Sequence, residues 1–78
     1  MYLDLFFNLQ EDELDKFLED VEKELEEAKK DDVIIVDLVI ETDINKYKNF
    51  YEEIPLNRDF EAKKDEVIDL VKNEIEGV

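Results

Sequence analysis

Histidine, cysteine, serine and tryptophan are missing from this chain, and threonine, glycine and proline occur once each, at Thr42, Gly77 and Pro55. These gaps remove whole chemistries. A serine or cysteine triad has no nucleophile, and a histidine general base or a thiolate or imidazole zinc site has no ligand. A glycine-rich phosphate loop has no glycines, since Gly77 stands next to the end. Without cysteine there is no disulfide framework, and a reducing compartment is permitted. Cations are scarce as well: 10 Lys and Arg stand against 25 Asp and Glu, a net charge of -15. No apolar run approaches the roughly 18 residues that a membrane span needs, and Met1-Tyr2-Leu3-Asp4 lacks the basic start of a secretory signal. A cytoplasmic protein is expected.

What is present is ordered in blocks. The 78 residues suffice for one acidic domain, 1–78, with 44% hydrophobic residues gathered in periodic stretches. Val33-Ile34-Ile35-Val36-Asp37-Leu38-Val39-Ile40-Glu41 is a branched apolar run bounded by Asp31-Asp32 and Thr42-Asp43, which predicts a buried strand. Ile34, Val36, Leu38 and Ile40 fall on one face and Val33, Ile35, Asp37 and Val39 on the other. Both faces are mostly apolar, so both are expected to be covered.

Met1 to Phe7 suits a first strand, and Asn8 with Glu11 three residues on has the form of a helix N-cap. Leu14, Phe17, Leu18, Val21, Leu25 and Ala28 then recur at intervals of three and four. They predict an amphipathic helix of about six turns that ends at Lys29-Lys30. Thr42 to Leu56 is read as a second helix, because Ile44, Tyr47, Phe50, Tyr51 and Ile54 fall at helical spacing. A strand from about Tyr47 to Ile54 is the alternative. Asn57 or Asp59 can cap a last helix whose inner face is Phe60, Val67, Ile68, Val71, Ile75 and Val78, with Gly77 at its C-terminal end. Lys64 lies within that face, either as a snorkelling stem at the sheet margin or as a partner for Asp37 or Asp4.

The expected fold is therefore a small α+β domain, β-α-β-(β or α)-α, with a two- or three-stranded sheet covered by amphipathic helices. A strand-helix-strand unit in one sheet is parallel and right-handed. A third strand inserted antiparallel between the first two would make an incomplete ferredoxin-like split βαβ. A two-stranded sheet would instead leave edges that invite homodimerisation.

The acids of the long helix form two lines. Asp15, Glu19, Glu22 and Glu26 run along one flank of the apolar stripe, and Glu13, Asp20, Glu24 and Glu27 along the other, with Lys16, Lys23 and Lys30 at the back. Carboxylates four residues apart stand roughly 6 Å apart along the axis, comparable to the ~7 Å between phosphates of one nucleic-acid strand. Part of this pattern is a solvated face with Asp12–Lys16, Glu19–Lys23 and Glu26–Lys30 pairs at i,i+4, each contributing a few tenths of a kcal/mol. The remaining acids have too few lysines to pair with, and self-repulsion makes so large a charge costly to keep compact. Replacing Asp15, Glu19, Glu22 and Glu26 with Gln is expected to leave the fold intact, since all four lie off the apolar stripe.

In charge and size this chain resembles the DNA-mimic proteins with which phages and mobile elements occupy the nucleic-acid sites of host proteins. Small immunity proteins that neutralise basic nucleases have the same electrostatic character. Both resemblances imply a non-catalytic inhibitor of a basic, nucleic-acid-binding protein, one that binds neither nucleic acid nor membrane itself.

A second reading concerns Glu41 to Glu52. Over these twelve residues the chain resembles an EF-hand calcium loop, with oxygen side chains at Glu41, Asp43, Asn45, Asn49 and Glu52. It departs from that loop at Lys46, which replaces the turn glycine, and at Lys48, a second positive charge. The implied cofactor is weakly held calcium; no other is expected. The third reading is catalysis by Asp37, raised in pKa by apolar neighbours and paired with Glu52-Glu53. Neither glycine loops nor basic substrate-binding groups accompany it, and a non-enzyme is expected.

Overall fold

The computed structural model describes residues 1–43, 45–56 and 59–78. The order is β1 (Tyr2–Asn8), α1 (Leu14–Leu25) continued by a 3₁₀ segment (Glu26–Lys30), β2 (Val33–Asp43), β3 (Lys46–Pro55) and α2 (Phe60–Glu76). The sheet order is β1-β2-β3, with β1 parallel and β3 antiparallel to the long central strand.

The expected α+β class and the run through β2 are present, and of the two readings of Thr42 to Leu56 the strand is the one found: Lys46–Pro55 forms β3 and not a helix. Lys48, Phe50, Glu52 and Ile54 stand opposite Ile40, Leu38, Val36 and Ile34, while Tyr47 and Tyr51 stand opposite Glu41 and Asp37 on the other face. Apolar residues on alternate faces of one edge strand thus reproduced a spacing of three and four. The backbone polar groups of β2 needed a second partner, and β3 supplies it. Nor does β3 insert between the other two strands: β1 pairs directly with β2, so the split βαβ arrangement is not formed. Asn45 makes the turn with φ of 62°, a left-handed conformation that asparagine tolerates. Ile44 and Asn57, assigned from sequence to helix spacing and a cap, lie outside the described residues.

Both helices lie on one face of the sheet. Leu3, Leu5, Phe7, Ile34, Val36, Leu38, Ile40 and Ile54 pack there against Val21, Leu25, Ala28, Val67, Val71 and Ile75 in one buried cluster. Phe7 and Phe17 meet edge to face with centroids 5.0 Å apart, a favourable aromatic geometry. Val78, expected on the inner face of α2, is exposed.

The start of α1 is later than Asn8 suggests. Asn8 Oδ1 accepts from the backbone N–H of Gln10 and Glu11, and Asp12 Oδ2 accepts from Asn8 N–H at 2.8 Å. This reciprocal capping closes a turn, and the helix begins only at Leu14. Asp59 does cap α2, accepting from Ala62 N–H at 3.2 Å.

Candidate protein-interaction surface

The two acidic lines of α1 meet different surroundings. Of Asp15, Glu19, Glu22 and Glu26, the last two meet α2 through Lys64. Lys64 is buried on α2, with its ammonium 2.6 Å from Glu26, 3.1 Å from Glu61 and 3.7 Å from Glu22. The other carboxylate oxygen of Glu26 takes Lys29 at 3.1 Å, and Lys29 lies 5.8 Å from the centroid of the Phe60 ring. The 3₁₀ segment, with three residues per turn, brings Glu26 to Lys29 instead of to the expected Lys30.

Lys64 therefore pairs with α1, not with Asp37 or Asp4. Those two project from the opposite face of the sheet, out of its reach. The Lys64 and Lys29 hydrogen bonds hold the Glu26 carboxyl below the usual carboxylate range. Hydrogen bonds to Glu26 and Glu61 raise Lys64 above the usual lysine value. Glu22 and Glu26 thus belong to an ion-pair cluster between the helices, and replacing them with Gln removes two of the partners of Lys64.

The second line differs. Glu13, Asp20, Glu24 and Glu27 are all exposed and, among the described residues, carry no ion pair. The same holds for Asp15 and Glu19 on the first line. Glu13 and Asp20 share a shallow depression with Asp12, Lys16, Phe17 and, from the edge of the sheet, Phe6.

The residues of the expected calcium loop are not gathered around one point. Glu41 and Asp43 belong to β2, Asn45 to the turn, and Asn49 and Glu52 to β3. Glu52 stands opposite Val36, five positions along β2 from Glu41 and on the other face, a separation of about 17 Å along the strand. Among the described residues no group of three or more acidic side chains forms a metal-ligating cluster.

The face of β2 away from the helices is open, contrary to expectation. Val33, Ile35, Asp37 and Val39 are half-buried, shielded sideways by the edge strands and not by a covering layer. Tyr2, Phe6, Tyr47 and Tyr51 are 57, 53, 57 and 58% exposed there. Their row partners are Ile35, Val39, Glu41 and Asp37 respectively. Alternation in β1, with Tyr2, Asp4 and Phe6 against Leu3, Leu5 and Phe7, was the sequence signal for this second surface.

Asp37 sits at the centre of the open face, between Asp4 on β1 and Tyr51 on β3. The Tyr2 hydroxyl donates to Asp37. That bond, with partial burial and the negative charges of Asp37 and Asp4, pushes Tyr2 up to about 12. Partial burial and the nearby Glu53 raise Tyr51, whose hydroxyl donates to Glu53 at 3.3 Å. Of the pair once set beside Asp37, Glu53 shares its face and Glu52 does not.

The outer edges of β1 and β3 have no strand partner among the described residues, so the edge expected to invite a second copy exists on a three-stranded sheet. Comparison of the chain with protein-family models, curated proteins and solved structures finds no match.

Proposed function

We propose that this protein is an acidic, non-catalytic inhibitor that engages a basic, nucleic-acid-binding protein in the cytoplasm and competes there with nucleic acid, as the DNA mimics of phages and mobile elements do. The observation that supports this reading is the line Glu13, Asp20, Glu24 and Glu27, exposed and, among the described residues, without ion pairs on a chain of net charge -15. Helix and 3₁₀ segment together run about 28 Å, which suits a groove built for a nucleic-acid backbone. A field of this sign favours cationic partners and fast association, and it repels nucleic acid and anionic membranes. No helix among the described residues is long and apolar enough to cross a membrane.

The test is affinity capture from the native host at low and high salt, followed by competition between the captured protein's nucleic acid and this chain. Salt-sensitive capture and mutual displacement are the expected results. A partner that holds both at once contradicts the proposal.

A further inference from the structure

Resting on the reading just given, we infer that the open face of the sheet is a docking surface for a segment of the basic partner that presents arginine or lysine beside apolar side chains. The face is built for such a segment. Tyr2, Phe6, Tyr51 and Tyr47 stand more than half exposed around the half-buried Val33, Ile35 and Val39, the apolar content of an interface and not of a solvated surface.

Its charged side chains are of one sign. Asp4, Asp37, Glu41 and Glu53 lie on this face with Asn8 and Asn49, and no lysine or arginine of the described residues does. Of the cations near the sheet, Lys48 projects from the covered face and pairs with Glu74 at 3.1 Å, Lys64 is held by Glu22 and Glu26, and Lys16 stands in the depression at the β1 edge, off the open face. Asp4 and Asp37 stand directly opposite each other in the parallel register, an arrangement of like charges that disfavours the free sheet. A guanidinium or ammonium placed between them would relieve that repulsion and meet the rings of Tyr2, Phe6 and Tyr51. Aromatic faces and carboxylates together favour such a cation.

The same charges select against other occupants. A second copy stacked on this face by a twofold axis would bring four carboxylates against four. Nucleic-acid bases, which stack well on exposed aromatics, arrive with phosphates that the face repels. The surface is also continuous with the acidic flank of α1. Phe6, at the β1 edge, lines the depression that carries Glu13 and Asp20, so one partner can lie across the sheet and reach round that edge.

The protein supplies its own reporter. It has three tyrosines and no tryptophan, and Tyr2, Tyr47 and Tyr51 all lie on the open face, whereas α1 has none. Three Tyr-free peptides serve as probes: one alternating arginine and leucine, one alternating arginine and glycine with equal charge, and one alternating glutamate and leucine. The arginine-leucine peptide is expected to change tyrosine fluorescence saturably at physiological salt and to move the amide signals of Tyr2, Phe6, Asp37, Val39 and Tyr51. Phe6→Ser with Tyr51→Ser should weaken it by about tenfold or more, with the fold checked by circular dichroism. Asp37→Asn, a smaller change, should weaken it too.

Equal responses to the arginine-glycine peptide, or any to the glutamate-leucine peptide, would overturn the inference. So would shifts confined to α1 with silent tyrosines, which would leave the nucleic-acid-mimic reading standing. Sedimentation showing a dimer that Phe6→Ser dissociates would identify a second copy as the occupant and also overturn it. Failure of the competition with nucleic acid, with the peptide still seated on the tyrosine face, would instead sink the mimic reading alone.

Discussion

The ammonium of Lys64 on α2 lies 2.6 Å from the carboxylate of Glu26, at the point where α1 tightens into a 3₁₀ segment. With Glu22 and Glu61 also on Lys64 and Lys29 on Glu26, this contact joins the two helices at the margin of the core.

Removing Lys64 leaves Glu22, Glu26 and Glu61 facing one another. Lys64→Ala is expected to lower the melting temperature, with a deficit that shrinks in about 0.5 M salt as repulsion is screened. The wild type should itself gain stability with salt. The pH dependence of Glu26→Gln follows from the lowered carboxyl of Glu26. A depressed carboxyl stabilises the fold above its ordinary range, and that contribution is lost as pH falls through its folded-state value. The penalty of Glu26→Gln, followed by thermal melts across pH, should therefore be full at neutrality and vanish at the acid end. The raised Lys64 keeps its contribution until strongly alkaline pH.

The two faces of β2 provide a paired test with the same chemical change. Val36 is fully buried under the helices, and Val39 is half-buried on the open face. Val36→Ala should cost about 2–3 kcal/mol through lost burial and a residual cavity, and Val39→Ala about 1 kcal/mol or less. Urea unfolding of the two variants measures both. Equal losses would indicate a layer covering the second face.

The core and the class of the fold were legible in the sequence because they rest on period. The alternation of β2 places Ile34, Val36, Leu38 and Ile40 on one face and the three-four spacing of α1 places Val21, Leu25 and Ala28 on another, and these residues are buried together, with Leu14, Phe17 and Leu18 partly buried against them. Between the two readings of Thr42 to Leu56 the period could not decide, because β3 (Lys46–Pro55) carries apolar side chains on both faces, and Tyr47, Phe50, Tyr51 and Ile54 then fall at a spacing of three and four. Covering of β2 was over-read for a related reason. Branched residues on its second face are shielded by Tyr2, Phe6 and Tyr51 in cross-strand positions, a relation that depends on register. Lys64 could be placed on the inner face of α2, but beside Glu61 on its own helix its partners are Glu26 and Glu22, 38 and 42 residues away, and only the packing of the helices selects those two.

Tyr2 and Asp37 should be separable by titration. Spectrophotometric titration of the three tyrosines is expected to show Tyr2 ionising last, near pH 12, because its hydrogen bond to Asp37 favours the neutral phenol. Asp37→Asn removes the charge and should bring Tyr2 down toward the ordinary value of about 10. Stability carried by a raised phenol is present below its ordinary range and lost as pH rises through the folded-state value. An unchanged Tyr2 in Asp37→Asn would show that the charge of Asp37 does not set the shift.

The geometry of the hairpin sets an expectation for calcium. With Glu41 and Glu52 on opposite faces and five positions apart, calcium at millimolar levels should move amide signals no more than magnesium does, spread over all acidic segments. Shifts concentrated at Asp43, Asn45 and Glu52 and abolished by Asp43→Ala would show a site that the strands do not gather.

The central claim is that the unpaired acids of α1 substitute for a nucleic-acid backbone, and direct competition tests it. The variant combining Glu13→Gln, Asp20→Asn, Glu24→Gln and Glu27→Gln spares Glu22 and Glu26, so it should melt as the wild type does or slightly higher. Each protein is titrated against the captured partner loaded with labelled duplex DNA, and release of the DNA is followed by anisotropy across a range of salt. The wild type should displace the DNA, while the variant should do so about tenfold or more weakly and with a shallower salt dependence, since fewer ion contacts form. A partner that keeps its DNA while binding the wild type, or that answers equally to the variant, would contradict the claim and leave these carboxylates as a solvated surface.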